Sequence, residues 1–472
     1  MDTFEAIYER RSIREFALDK KIPEEIVRRI LDSAAYGMSA PGGYPFWKML
    51  VVRDKASGDL LADSAKEVAM LMFGASFEVF GPGHMWYMPR DTQLKVAEYT
   101  TTGELWTYPR TADVNFVPFL SKGAWTDTIT SFSDDLPMLA QFLGFATQNM
   151  WLVGHKYGIG AAYNGMPLLD TRRREIMSEY LGVSWSWEAT GCFSFGYPEA
   201  PRFFGPARPS PEGVIFSEYW GNPYLRIGLR ESDYEREEVP ETEIEETIRN
   251  LNLVSSFGDK PVPPWMLEKV LDVVIWGPVP ENFKNWRFVI IRDKESKEFL
   301  QKLVGEKRSC PWYFSWPELQ HSRAEHLPEN QRVEQMEKTL DWGFGRWYTE
   351  ADILILCLST VLSWRDQPYP GFGATPMPMF SISTGCCIQN MLLAATALGL
   401  GVNYDPLPGG DPRSRELLME YFGIPAISWQ PLGVLGLGEA GERVDLPRLP
   451  LETMVYDEYW NNPYKLTTEV SK

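Results

Sequence analysis

Arg10, Arg11, Ser12 and Arg14 fall within five residues near the start of the chain. A planar guanidinium can pair two oxygens of an oxyanion, and a hydroxyl adds a short hydrogen bond, so these residue types at this spacing could grip a phosphate. On spacing alone they could equally be solvated charges flanking a helix. Other reactive side chains form no comparable group. His155 falls in an apolar helical stretch and reads as a structural histidine, while His84, His321 and His326 stand in irregular regions without metal-ligand spacing. Cys192, Cys310 and Cys357 are isolated, and Cys386 and Cys387 are adjacent, which provides neither a metal-binding spacing nor an even disulfide framework. Gly436-Leu437-Gly438-Glu439-Ala440-Gly441 has the spacing of a dinucleotide-binding loop. The residues after it, Glu442-Arg443-Val444-Asp445-Leu446-Pro447, do not open a helix, so that reading is rejected.

The elements that must position these residues are organised as an internal repeat with a period of about half the chain, which signals domain duplication rather than a solenoid. Trp47-Lys48-Met49-Leu50-Val51-Val52-Arg53-Asp54-Lys55 is matched by Trp286-Arg287-Phe288-Val289-Ile290-Ile291-Arg292-Asp293-Lys294, each a buried strand closed by a charged turn. Gln148-Asn149-Met150 before Tyr157-Gly158-Ile159-Gly160 returns as Gln389-Asn390-Met391 before Leu398-Gly399-Leu400-Gly401, each the end of a core helix stopped at glycine. Glu218-Tyr219-Trp220-Gly221-Asn222-Pro223-Tyr224 returns as Glu458-Tyr459-Trp460-Asn461-Asn462-Pro463-Tyr464. Ile26, Val27, Ile30, Leu31 and Ala34 recur at helical spacing after Pro23, which suits a first turn, and Met266, Leu267, Val270, Leu271 and Val274 do so after Pro263 and Pro264. Each half therefore reads as helix, helix, strand, long variable region, core helix, short strand and C-terminal arm, an α+β layout. Residues 1–231 and 248–472 are the expected domains, and the acidic stretch 232–247, which cannot bury enough apolar surface to fold alone, is the expected linker.

Composition bounds the function. A chain of 472 residues with 44% hydrophobic content can bury one or two full cores. The net charge of −18, spread along the chain, repels phosphate backbones and argues against a nucleic-acid partner. No apolar run approaches the roughly 18 residues of a membrane span. Asp2 and a helical pattern from Phe4 replace the basic and apolar regions of an export signal, and the cysteine usage suits a reducing compartment. A cytoplasmic protein is expected.

The opening Ile7-Tyr8-Glu9-Arg10-Arg11-Ser12-Ile13-Arg14-Glu15-Phe16, then Ile22-Pro23-Glu24-Glu25, an apolar helix and a small-residue loop before Trp47, resembles the start of the nitroreductase family. The likeness extends over most of both halves and implies two nitroreductase-like α/β/α domains forming an intramolecular pseudo-dimer. It further implies that Arg10, Arg11, Ser12 and Arg14 hold the phosphate and ribityl chain of FMN. In the second half Leu251, Asn252, Leu253 and Ser255 stand in their places, so that grip is lost. The family's P-S-x-x-N loop before the tryptophan shows the reverse: Pro278 and Asn282 keep it in the second half, whereas the first has Gly43 at the asparagine position. Family members are homodimers in which one subunit grips the flavin phosphate and the other touches its ring. The complementary losses therefore imply one composite site, with one FMN per chain, built from the first-half arginines and the second-half Pro278 and Asn282. The alternative for that pair is a plain turn before a strand.

Asn164 and Gly165 align with the family stretch whose backbone N–H groups approach the flavin N5, and a glycine permits that approach, although a simple loop after the helix would look the same. Arg208 stands near the family's second basic residue on the phosphate, a role for which Arg448 competes. The chemistry would belong to the flavin, taking hydride from NADH or NADPH and passing it to a small organic acceptor such as a nitroaromatic, quinone, halogenated aromatic or activated alkene. No side chain is assigned as a general acid. Dense aromatics between Phe73 and Tyr108 and between Cys310 and Tyr348 suit a lid over a planar ligand, or simply pack the insertions onto the core. Two other functions stay open: flavin-dependent dehydrogenation or flavin fragmentation on the same fold, and a flavin-binding scaffold without turnover. Further oligomerisation of the fused chain is compatible with all three.

Overall fold

The computed structural model describes residues 1–37, 47–73, 90–121, 132–168, 170–200, 213–224, 241–279, 284–308, 328, 345–361, 378–406, 412–444 and 451–464. The first half runs α1 (Thr3–Glu9), α2 (Glu24–Ala35), β1 (Trp47–Val52), α3 (Lys55–Phe73), α4 (Arg90–Thr101), β2 (Val114–Ser121), α5 (Phe132–Lys156), β3 (Gly160–Asn164), α6 (Thr171–Tyr180), β4 (Trp187–Ala189), β5 (Cys192–Gly196) and β6 (Ile215–Ser217). The second runs α7 (Ile244–Arg249), α8 (Pro264–Asp272), β7 (Trp286–Ile291), α9 (Lys294–Arg308), α10 (Trp347–Glu350), β8 (Ile353–Thr360), α11 (Pro378–Ala397), β9 (Gly401–Asp405), α12 (Pro412–Tyr421), β10 (Trp429–Gly438) and β11 (Val455–Asp457). No helix among the described residues is long and apolar enough to cross a membrane.

Local sequence explains the element ends. Asp2 caps α1 by accepting from Phe4 and Glu5, while Glu5 reaches back to the Asp2 N–H. Pro23 and Pro263 take the position before the first helical residue of α2 and α8, one place earlier than a first-turn proline. Asp54 and Asp293 close the charged turns after β1 and β7, each accepting from a serine three residues on. The core helices stop at Gly158 and Gly399, whose φ of 71° and 79° lie where a Cβ is strained.

Each sheet is finished by the other half. One sheet has the order β11-β1-β2-β5-β3, with β4 also on β2, and the other β6-β7-β8-β10-β9. The arm strand β11 pairs in parallel with β1, Met49 opposite Val455, and β6 pairs in parallel with β7, Ile215 opposite Phe288. The repeated Glu-Tyr-Trp motif fastens both arms. Glu218 accepts from the Arg292 and Asp293 N–H groups and Glu458 from those of Arg53 and Asp54. Both glutamates have positive φ, 63° and 59°.

Between the sheets α5 crosses α11, and the crossing is set by Gly144 and Gly385. A Cβ on Gly144 would run into the backbone of Ile382 and Gly385, and one on Gly385 into that of Gln141. The repeated Gln-Asn pair bonds across this crossing: Gln148 donates to Asn390 at 2.7 Å and Gln389 to Asn149 at 2.9 Å. Asn149 and Asn390 in turn donate to the carbonyls of Ser33 and Val273, at corresponding places near the ends of α2 and α8.

Three readings need adjustment. The acidic stretch is ordered from residue 241: Glu243 caps α7, and Glu245 is buried against Lys156, Tyr157 and Arg29 of the first half. Its carboxylates fold because cations from another element meet them, and residues 225–240 lie outside the described residues. The variable regions contain central strands β2 and β8, and a helix, α6 or α12, follows the short strand in each half. Finally, the described aromatics of the proposed lid pack inward: Trp106 and Tyr108 join Ile13, Phe16 and Met166, and Trp347 and Tyr348 join the second core. Tyr99 is the exception, exposed on α4, and the aromatics between residues 74 and 89 and between residues 309 and 344 lie outside the described residues.

The crossing generates a test. By helix propensity Gly385→Ala should gain about 1 kcal/mol. Overpacking against fixed backbone should instead cost about 1–3 kcal/mol, so the denaturation midpoint is expected to fall. A rise would show that the helices separate freely there.

Candidate functional site

The arginine motif leaves α1 as an extended run laid against β3. Ser12 bridges Ala161 in parallel, the Ile13 N–H donates to the Ala161 carbonyl at 2.9 Å, and Phe16 bridges Pro198. Ile13 is buried, so Ser12 and Arg14, on either side of it, turn the other way and are half-buried. Among the described residues the Ser12 hydroxyl and Arg14 Nε meet no hydrogen-bond partner. Arg14 lies beside Tyr108, whose hydroxyl is pushed well above its ordinary pKa by burial, against the field of that guanidinium.

Arg10 and Arg11 are placed differently. Arg10 is 2% exposed; its Nη2 donates to the Trp276 carbonyl at 2.8 Å and its guanidinium lies 4.5 Å from the Trp151 ring centre. Arg11 donates to the carbonyls of Tyr8 and Arg10 and stands 5.3 Å from the Trp276 ring, against which Tyr8 sets its edge. Trp276 belongs to the second half and precedes Pro278 by two residues. The Pro278 carbonyl accepts from Ser383 at 2.6 Å, and Ser383 also bonds Asn285. The first-half motif and the second-half proline loop are thus brought together, with Arg10 committed to the junction. Asn282 and Arg208 lie outside the described residues.

Asn164 and Gly165 end β3. The Asn164 side chain is fully buried and spent locally, its Nδ2 donating to the Trp106 carbonyl at 2.8 Å and its Oδ1 accepting from Met166. Its backbone pairs with Cys192 at the end of the β3–β5 ladder. Gly165 is buried, and among the described residues its N–H has no acceptor. A Cβ there would press on the Met379 methyl of α11, so the second half reaches this point as well. β3 and β9 pair equivalently with β5 and β10, Gly160 opposite Gly196 and Gly401 opposite Gly438. The residue corresponding to Gly165 is therefore Pro406, which has no N–H.

The second half's version of the motif is filled in. Leu251 and Leu253 are core residues, Asn252 donates to the Leu400 carbonyl at 2.9 Å, and Ser255 donates to Glu442. Sequence reasoning missed Trp276, Met379 and Pro406. Placing Gly160–Gly165 over Gly401–Pro406 would have found the last; nothing in the sequence marks the first two.

Elsewhere the described cysteines are buried and form no disulfide with one another, with burial raising Cys192 and Cys386 to about 12. Among the described residues no cluster could hold a metal ion.

The profile of the nitroreductase family matches residues 7–197 and 254–439, more than half of the chain. The chain belongs to the nitroreductase family, whose members are flavin oxidoreductases, and carries its domain twice. A protein of Stenotrophomonas maltophilia (strain K279a), provisionally named an NADH dehydrogenase/NAD(P)H nitroreductase, is 26% identical over 210 residues, 44% of this chain and 92% of that protein. One of Methanothermobacter thermautotrophicus with the same provisional name is 47% identical over 55 residues, 12% of this chain and 28% of that protein. Among solved structures, a provisional nitroreductase of Desulfovibrio desulfuricans in complex with FMN is 22% identical, with 45% of this chain and 94% of that one covered and a TM-score of 0.31. NfrA2 of B. megaterium is 14% identical, with 45% and 72% covered and a TM-score of 0.33.

The placement separates two roles within one motif. Arg10→Ala should destabilise the protein by about 1.5–3 kcal/mol, because a charged hydrogen bond to the Trp276 carbonyl is lost. Ser12→Ala should stay within about 0.5 kcal/mol in the same denaturation experiment. Equal effects would remove the distinction.

Proposed function

We propose that the two domains, residues 1–231 and 248–472 joined through 232–247, form a pseudo-dimer with one FMN site. In this reading the chain is an NAD(P)H oxidoreductase acting on a small, aromatic acceptor. The observation that carries the single site is the N–H of Gly165, which has no acceptor among the described residues, set against Pro406 at the corresponding place. One position offers a donor to a flavin ring edge, and the other has none to offer.

Bound flavin supplies the redox chemistry, accepting hydride from a nicotinamide and returning it to an acceptor. The residues of the chain bind and orient it. Ser12 and Arg14 present an unused hydroxyl and Nε to the phosphate and ribityl chain, with Arg11 and Arg208 adding charge. Arg10 contributes charge from behind while fixing Trp276, two residues before Pro278, at the junction of the two domains. Gly165 offers its backbone N–H to the ring edge, and the Met379 methyl of the other domain fills the space that a Cβ at this position would take.

Purified protein is expected to be yellow and to release one FMN per chain. Ser12→Ala should weaken FMN binding roughly 10- to 100-fold while the fold is unchanged. Asn282→Ala should change the flavin spectrum or its reduction rate although it lies in the domain without the arginines. Two tightly held flavins per chain, or unchanged affinity in the serine variant, contradict the composite site. Oxidation of NADH or NADPH that depends on an added acceptor distinguishes a reductase from a dehydrogenase, a flavin-fragmenting enzyme or a scaffold.

A further inference from the structure

His155 is an ionisable side chain beside the arginine motif to which the flavin reading gives no part. It stands one turn after Trp151 on α5 and so shares the face on which Arg10 lies over the indole. Its Nε2 is buried and meets no hydrogen-bond partner among the described residues. The charges that face it are Arg10 and Arg11, from the run after α1, and Glu5, from α1 itself. Its neighbour Lys156 is taken up by Glu243 and Glu245 at 2.8 and 2.6 Å. Burial first, then the two guanidinium charges, hold the imidazole below its ordinary pKa of about 6.5, so it is neutral at neutral pH without an anion nearby. A phosphate dianion held by this arginine run opposes the guanidinium field that keeps the imidazole neutral.

We propose that His155 is a positioning residue of the anion site, taking up a proton as the flavin phosphate arrives so that FMN binding and protonation of this imidazole are linked. The inference rests on the FMN reading above. Linkage is reciprocal: if binding draws in a proton, lowering the pH must tighten binding until the free protein is itself protonated.

The test is calorimetric titration of the full chain at about pH 7.5, where a phosphate monoester is already a dianion, in two buffers of different ionisation enthalpy. FMN is expected to bind with uptake of a sizeable fraction of one proton. Riboflavin, which has the ring without the phosphate, should show none, and His155→Asn should bind FMN with the uptake abolished. Should the asparagine variant fail to fold, His155→Gln takes its place, and the FMN-against-riboflavin comparison needs no variant. Equal uptake with riboflavin, or undiminished uptake in the variant, overturns the proposal. Failure of FMN to bind overturns both readings, whereas binding without His155-dependent uptake overturns this one alone.

Discussion

The arrangement of the two domains depends on the crossing of α5 and α11. Two glycines let the helix backbones approach, and the repeated glutamine and asparagine of each helix then bond reciprocally across the gap. These amides are fully buried, where a polar group left unmatched costs about 1–3 kcal/mol. Each asparagine also holds the end of its own domain's second helix. A shift of one domain against the other would therefore break bonds within each domain as well as between them. The register is a single setting, not a sliding contact.

Because that register is single, small differences between the domains have fixed addresses. The arginine run of the first domain meets Trp276 and the proline loop of the second, while the corresponding run of the second domain is leucine and self-bonded asparagine. Gly165 faces Met379 across the junction, and its counterpart is proline. In a homodimer every such change would alter two sites at once. Fusion lets the two halves diverge at such positions while the residues that hold the domains together stay paired.

Much of this was legible in the sequence because the repeat presents each motif twice. The strand after the tryptophan, the core helix ending at glycine and the Glu-Tyr-Trp arm all stand where the repeat predicts, since each is set by local patterning that survives duplication. What escaped was of another kind. The polar helices α6 and α12 have weak amphipathic patterning, and β2 and β8 lie in regions where the two halves have diverged, so comparison of the halves could not reveal them. Among the candidate site residues, Ser12, Arg14 and Gly165 were picked out by type, but the commitment of Arg10 to a carbonyl of the other domain depends on tertiary placement. The acidic segment misled because composition describes a stretch by itself, and Glu245 is stabilised by Lys156 and Arg29, 89 and 216 residues away in sequence.

The exchanged arms also set an order in time. Strand β1 is made early, yet among the described residues its outer edge pairs only with residues 455–457. Until those residues leave the ribosome, the first sheet carries an open edge next to buried-type side chains, the condition under which strands pair with the wrong chain. The first domain, which carries the Arg10–Arg14 run, is thus synthesised before the second and finished only after it. A stalled or truncated product would present an adhesive sheet edge to every other copy in the cell.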